Sequence, residues 1–197
     1  LLKILFLIKI LSRIMNKSPI IWLTGMSGSG KSTLANHLKN KLKKYEYKVL
    51  IIDGDSIRDL DQKKLGFGLG DVLVNNMRIA SLCEEQRSKF DLVLVPVISP
   101  YEKVRQKVRK ALEPNFHLIY LKADIYSLKS RDTKGLYAAA DRGEIKDLIG
   151  YSNINPYDKP VNPELTVRTS SDNSVDGALN YILEYLNGVI GDKITFK

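Results

Sequence analysis

Short apolar runs alternate along this chain with longer stretches whose apolar positions recur at helical spacing. Pro19 precedes Ile20-Ile21-Trp22-Leu23, which reads as a short buried strand. Three more runs follow: Lys48 to Ile52, Asp91 to Ile98 and Phe116 to Leu121. Leu165 to Arg168 is a weaker fifth. Helical patterns lie near 34–45, where Leu34, Leu38 and Leu42 share a face, and near 71–89, 101–112, 125–131 and 175–187. Strands that are apolar throughout, separated by helices, predict an α/β fold with a parallel sheet covered by helices on both faces. Residues 150–164 are rich in Gly, Asn and Pro and read as a long loop of the kind that closes over ligands. No repeat or linker divides the chain, so one domain over 15–197 is expected.

Between the first strand and the first helix stands G-M-S-G-S-G-K-S, Gly25 to Ser32, which fits the phosphate-binding pattern G-x-x-x-x-G-K-[ST]. The glycines let backbone N–H groups converge on a phosphate at a helix N-terminus. Lys31 is expected to reach the β- and γ-phosphates, and the Ser32 hydroxyl to ligate Mg2+. This predicts a P-loop NTPase or kinase fold. Gly25, Met26, Ser27, Gly28, Ser29, Gly30, Lys31, Ser32 and Thr33 form the expected ATP-binding stretch.

The composition adds little that is unusual: 44% of residues are hydrophobic and 27% charged. The formal charge is +9. Lys3, Lys9 and Arg13 contribute to it from a segment without acidic residues; removing these three of 31 leaves 28 basic against 22 acidic residues, or +6. A basic enzyme that handles polyphosphates needs no nucleic-acid partner to account for this, and no aromatic–basic platform is present. Residues 1–14 are apolar but short and interrupted by charge, which excludes a membrane span. They are read as an extension outside the fold, which begins at Met15, with an amphipathic surface helix as the alternative. Cys83, the single cysteine, reads as a buried small residue in a reducing, cytoplasmic compartment. His37 and His117 are expected in packing or surface roles.

In an open parallel sheet, ligands lie beyond the carboxyl ends of the strands. Three such ends carry polar groups here: the phosphate loop, Asp53-Gly54-Asp55 with Arg58 behind it, and Ser99-Pro100-Tyr101. They are expected to line one crevice. Asp53 closes an apolar strand, the place of an aspartate near Mg2+, and Asp55 could accept the proton of an attacking hydroxyl. The same D-G-D also suits a turn that caps a helix. Arg131, Lys134 and Arg142 could close over a transferring phosphoryl group, or could form an exposed basic face.

Over Ile20 to Leu186 the chain resembles adenylyl-sulfate kinases, which use ATP to phosphorylate the ribose 3′-hydroxyl of adenylyl sulfate. The matching stretches are I-W-L-T-G-M-S-G-S-G-K-S-T at 21–33, D-G-D-S-I-R at 53–58, L-G-F at 65–67 and I-S-P-Y at 98–101. Further on stand R-D-T-K-G-L-Y at 131–137, G-E-I-K at 143–146 and N-P-E-L at 162–165. The resemblance implies that Asp55 faces the acceptor hydroxyl, Arg58 holds the acceptor's anionic end, Phe67 stacks on its base, and Asn75, Ile98 and Ser99 help to place it. Ser99 matches a serine proposed in the family as a phosphoenzyme site, although direct transfer needs none. Arg131, on the ATP side, and Lys134 would belong to a mobile lid. Relatives are often homodimers, and the implied partners are small nucleotides.

The acceptor segment departs from the family. Where the family reads G-F-S-x-x-D-R-x-E-N-I-R-R, this chain has Val72 and Met77 in place of arginines and Val74 in place of a glutamate. The usual F-T-G-I-D reads Leu148-Ile149-Gly150-Tyr151-Ser152. Such changes either weaken binding of the usual substrate or mark a less negative or differently shaped one, as in the related cytidine diphosphoramidate kinases of capsule biosynthesis; the resemblance keeps adenylyl sulfate as the first expectation. From other classes, a GTPase switch would need an N-K-x-D motif, which is missing, and a nucleotide-binding pseudokinase would not need the retained Lys31, Ser32, Asp53 and Asp55.

Overall fold

A computed structural model describes residues 17–59 and 65–190; the expectations about residues 1–14 and Met15 lie outside the described residues. Five parallel strands form one sheet in the order β2-β3-β1-β4-β5. They are β1 Ile20–Thr24, β2 Val49–Ile51, β3 Leu92–Pro96, β4 Phe116–Lys122 and β5 Leu165–Arg168. β1 lies at the centre, with Ile21 paired to Leu94 on one side and His117 on the other. All five of its residues are buried, as are all five of β3, because both faces of the sheet are covered.

The alternation of side chains along β1 assigns each face its partners. Ile21 and Leu23 point into a cluster with Leu34, Leu38 and Leu42 of α1 (Lys31–Lys43) and Ile182, Leu183 and Leu186 of α7 (Val175–Ile190). Ile20 and Trp22 point the other way, against Val72, Ile79 and Cys83 of α3 (Leu69–Gln86) and Val104, Val108 and Leu112 of α4 (Glu102–Leu112). Burial pushes the Cys83 thiol up to about 12, which fits a packing role. His117 packs edge-on to Tyr185, and His37 is exposed.

The long helices fall where the spacing places them, although the helix read to residue 89 ends at Gln86 and continues as a 3₁₀ turn, Arg87–Lys89. Two six-residue helices lie outside the periodic patterns: α2 (Gly54–Asp59), at the turn that D-G-D also suits, and α6 (Leu136–Asp141). α5 (Ile125–Arg131) occupies the expected residues. The stretch 150–164 carries neither helix nor strand. A third, small apolar cluster joins Leu128, Tyr137 and Leu148, with Met26 packed against it.

Candidate active site

The phosphate loop runs from the end of β1 to α1. Gly28 and Gly30 have φ of 76° and 88°, a left-handed backbone that suits glycine. Gly25 answers a different need: a Cβ there would stand 2.6 Å from the Leu121 carbonyl oxygen and 2.6 Å from Ser29 Oγ. No side chain caps α1 and no acidic residue stands in its first turn, so its leading N–H groups are free to bind an anion. The Lys31 ammonium folds back onto the loop and donates to the carbonyls of Gly25 and Met26, each at 2.8 Å.

Burial lowers Lys31 to about 8, against the pull of Asp55 and Asp53. The consequence for binding has a definite sign. Bound phosphates raise the lysine's pKa again. Below about pH 8 the free site already carries the ammonium, and affinity is flat. Above that, binding must take up a proton, so ADP affinity is expected to fall by roughly tenfold per pH unit until the raised value is reached. Titration between about pH 7 and 9.5, in buffers of different ionisation heat, checks this; constant affinity with no proton uptake contradicts it.

Beyond β2, the Ser32 hydroxyl donates to Asp53 Oδ2 at 2.8 Å, and Asp53 Oδ1 accepts from the Asp55 N–H at 2.9 Å. Thus D-G-D both turns the chain and opens a helix, with Asp55 in the first turn of α2. Asp55 Oδ2 meets Lys134 Nζ at 2.7 Å. With side-chain exposures of 58% and 62%, that pair adds little to stability, and its hydrogen bond raises Lys134. A cavity of about 640 Å³ is lined by residues 27–34, Asp55, Ile98, residues 130–134, Tyr137 and a wall between Thr169 and Ala178. That volume suits a nucleotide.

The remaining acceptor residues, Arg58, Phe67, Asn75 and Ser99, do not line this cavity. Arg58 lies over the Phe67 ring, 4.7 Å from its centroid, and donates to the carbonyls of Leu65 and Gly66 at 3.3 and 2.9 Å. Tyr101 Oη donates to the Phe67 carbonyl at 3.0 Å. Asn75 is buried, and its Oδ1 has no partner among the described residues. Ser99 does not offer an open hydroxyl: it is 1% exposed, and its Oγ accepts from Asn76 Nδ2 at 2.7 Å. Its carbonyl accepts from the buried Arg105 at 2.7 Å, and its φ is 44°. Ser99 therefore sits behind the wall as a shaping residue.

The structure brings Ser27 to Thr33, Asp55, Ile98, Arg131 and Lys134 together, with Gly25 and Met26 beneath the loop. Arg131 donates to the carbonyls of Gly28 and Thr169. Arg142 is not part of the group; it pairs with Glu144 at 2.6 Å. Sequence reasoning missed Tyr137 and the wall of Thr169, Ser171, Asn173 and Ser174. The only signal for that wall was its place after a strand end, since β5 pairs with β4 in parallel.

A parallel sheet, a glycine loop at a helix N-terminus, and a serine–aspartate pair at the next strand end define a P-loop kinase. Residues 17–168 match the adenylylsulphate kinase family. An adenylyl-sulfate kinase of Bacillus licheniformis is 38% identical over 172 residues, which cover 87% of this chain and 86% of the relative. One of Prochlorococcus marinus is 41% identical, over 86% and 85%. The Mycobacterium tuberculosis APS kinase, solved in complex with AMPPNP and APS, superposes with a TM-score of 0.77 at 32% identity, covering 87% of this chain and 98% of that one. The chain belongs to the adenylyl-sulfate kinase family and is an ATP-dependent kinase.

Proposed function

We propose that this enzyme transfers the γ-phosphoryl group of ATP to the ribose 3′-hydroxyl of adenylyl sulfate. The observation that carries this reading is that Lys31 and Asp55 line one cavity, with Arg58, further along the helix that Asp55 opens, stacked on Phe67. The relatives named above, and the mycobacterial kinase solved with AMPPNP and APS, support the acceptor.

In this reading the N–H groups of residues 28–33 and the Lys31 ammonium hold the β- and γ-phosphates. Asp55 accepts the 3′-hydroxyl proton as the oxygen attacks the γ-phosphorus. A new O–P bond forms and the bond to the β-phosphate oxygen breaks in line, leaving ADP. Arg131 and Lys134 offset the charge on the moving group. Phe67 stacks on the acceptor base, Arg58 and Asn75 bind its polar groups, Ile98 supplies an apolar wall, and Ser99 shapes that wall.

Ser32 and Asp53 would hold Mg2+. Their two hard oxygens stand 2.8 Å apart, and no cluster of three His, Cys, Asp or Glu residues among the described ones competes. That arrangement fits an ion that keeps its other contacts to water and phosphate. Bound there, the ion neutralises phosphate charge. The free, buried Cys83 suits the cytoplasm. No described helix is long and apolar enough to cross a membrane. The enzyme is proposed to act as a homodimer, and light scattering at the 22.3 kDa of one chain would overturn that.

One departure from the family pattern is the reason to test a second acceptor beside adenylyl sulfate. Val72, where the family pattern has an arginine, is 3% exposed and packs within the apolar cluster of Ile52, Val97 and Val104. No arginine contact to the acceptor's anionic end comes from this position, which leaves room for an acceptor of another shape, such as cytidine diphosphoramidate. The purified enzyme assayed side by side is expected to turn over adenylyl sulfate with the larger kcat/KM. A larger value for the amidate reverses the assignment. Hydrolysis of GTP alone, or ATP binding without transfer to either acceptor, overturns the kinase reading.

A further inference from the structure

A peptide of a phosphate loop that aims its N–H group at the anion turns its carbonyl away from it, and a carbonyl so buried needs a donor of its own. Here one segment supplies them to two successive residues. Tyr137 Oη donates to the Ser27 carbonyl at 2.9 Å, and Arg131 Nη1 to the Gly28 carbonyl at 3.4 Å. Met26, one residue earlier, packs among Leu128, Tyr137 and Leu148. Three consecutive loop residues are thus each gripped from the lid side.

Tyr137 is the centre of this grip. It is 1% exposed, and its own N–H is held by the Asp132 carboxylate at 3.1 Å. Its ring meets Tyr151 edge-on, with centroids 5.4 Å apart. The Tyr151 hydroxyl in turn bonds Asp141 and Lys129. Burial raises the Tyr137 phenol well above its ordinary range, so it keeps its proton and remains a donor. Its bond ends on a backbone carbonyl of the loop and closes no turn of its own helix.

We propose that Tyr137 is a positioning residue for phosphoryl transfer: its hydroxyl holds the Ser27 carbonyl outward and couples the phosphate loop to the segment 131–137. This rests on the kinase reading above. Without the hydroxyl, the Ser27 peptide can turn its carbonyl toward the phosphates, and nucleotide binding has to reverse that.

The test compares Tyr137→Phe and Tyr151→Phe with the unaltered enzyme, using ADP and inorganic tripolyphosphate as probes in calorimetry and competition. Tyr137→Phe is expected to weaken both by the same factor, about three- to ten-fold, the size of one lost hydrogen bond. Tyr151→Phe, which leaves the Ser27 carbonyl held, is expected to stay within about two-fold for both. Unchanged ADP affinity in Tyr137→Phe overturns the role. So does a loss confined to ADP, or an equal loss in Tyr151→Phe. Hydrogen exchange carries the same test without a substitution: ADP should slow exchange in 26–33 and 131–141 together, and slowing confined to the loop overturns the coupling. An unaltered enzyme that binds no ADP overturns the kinase reading as well.

Discussion

Replacing Asp55 with asparagine is expected to lower kcat by roughly 10²- to 10⁴-fold, the range for losing a general base. ADP affinity should stay within a few-fold, because in this reading the loop's N–H groups and Lys31, and not Asp55, hold the phosphates. Folding should be almost unaffected: the Lys134 pair it breaks is exposed on both sides, and such pairs contribute well under about 1 kcal/mol. The backbone of D-G-D should also survive, since the carboxylate that binds the 55 N–H belongs to Asp53. Single-turnover chemistry measured beside ADP binding separates these effects. Near-normal turnover would remove Asp55 from its proposed place on the proton's path.

Lys31→Ala is expected to act on both quantities. Loss of a preorganised cation at the transferring group costs on the order of 10²–10³ in turnover, and ADP should bind more weakly too. The same ammonium also donates to the carbonyls of Gly25 and Met26, so part of the loss reflects a loop that has given up those two hydrogen bonds. Lys31→Arg should not restore activity, because a planar fork does not reproduce a compact charge on two convergent oxygens. Rescue by arginine would argue that charge alone matters there. The pH dependence of ADP affinity tied to the lysine's value near 8 should vanish in Lys31→Ala.

The strands were legible because both faces of β1 and β3 are covered, so burial wrote itself as unbroken apolar runs. β5, half-exposed at the sheet edge, left the weakest trace. α2 and α6 escaped because six residues do not complete two turns, too few for a periodic signal. The phosphate loop was readable because its chemistry is contiguous. The Thr169–Ser174 wall and Tyr137 were not, since only the folded sheet and the segment after α5 bring them to the cavity. Ser99 shows the opposite difficulty: its residue type suggested an available hydroxyl, and only the Asn76 bond shows it to be covered.

Cys83 has a practical consequence. It is the chain's lone sulfhydryl, it is shut between α3 and the sheet, and its thiol is pushed to about 12. Alkylating reagents can reach it only when the core opens, and only then does it become a ready nucleophile. Labelling with iodoacetamide thus counts molecules that have come apart, a clock for unfolding that needs no engineered probe.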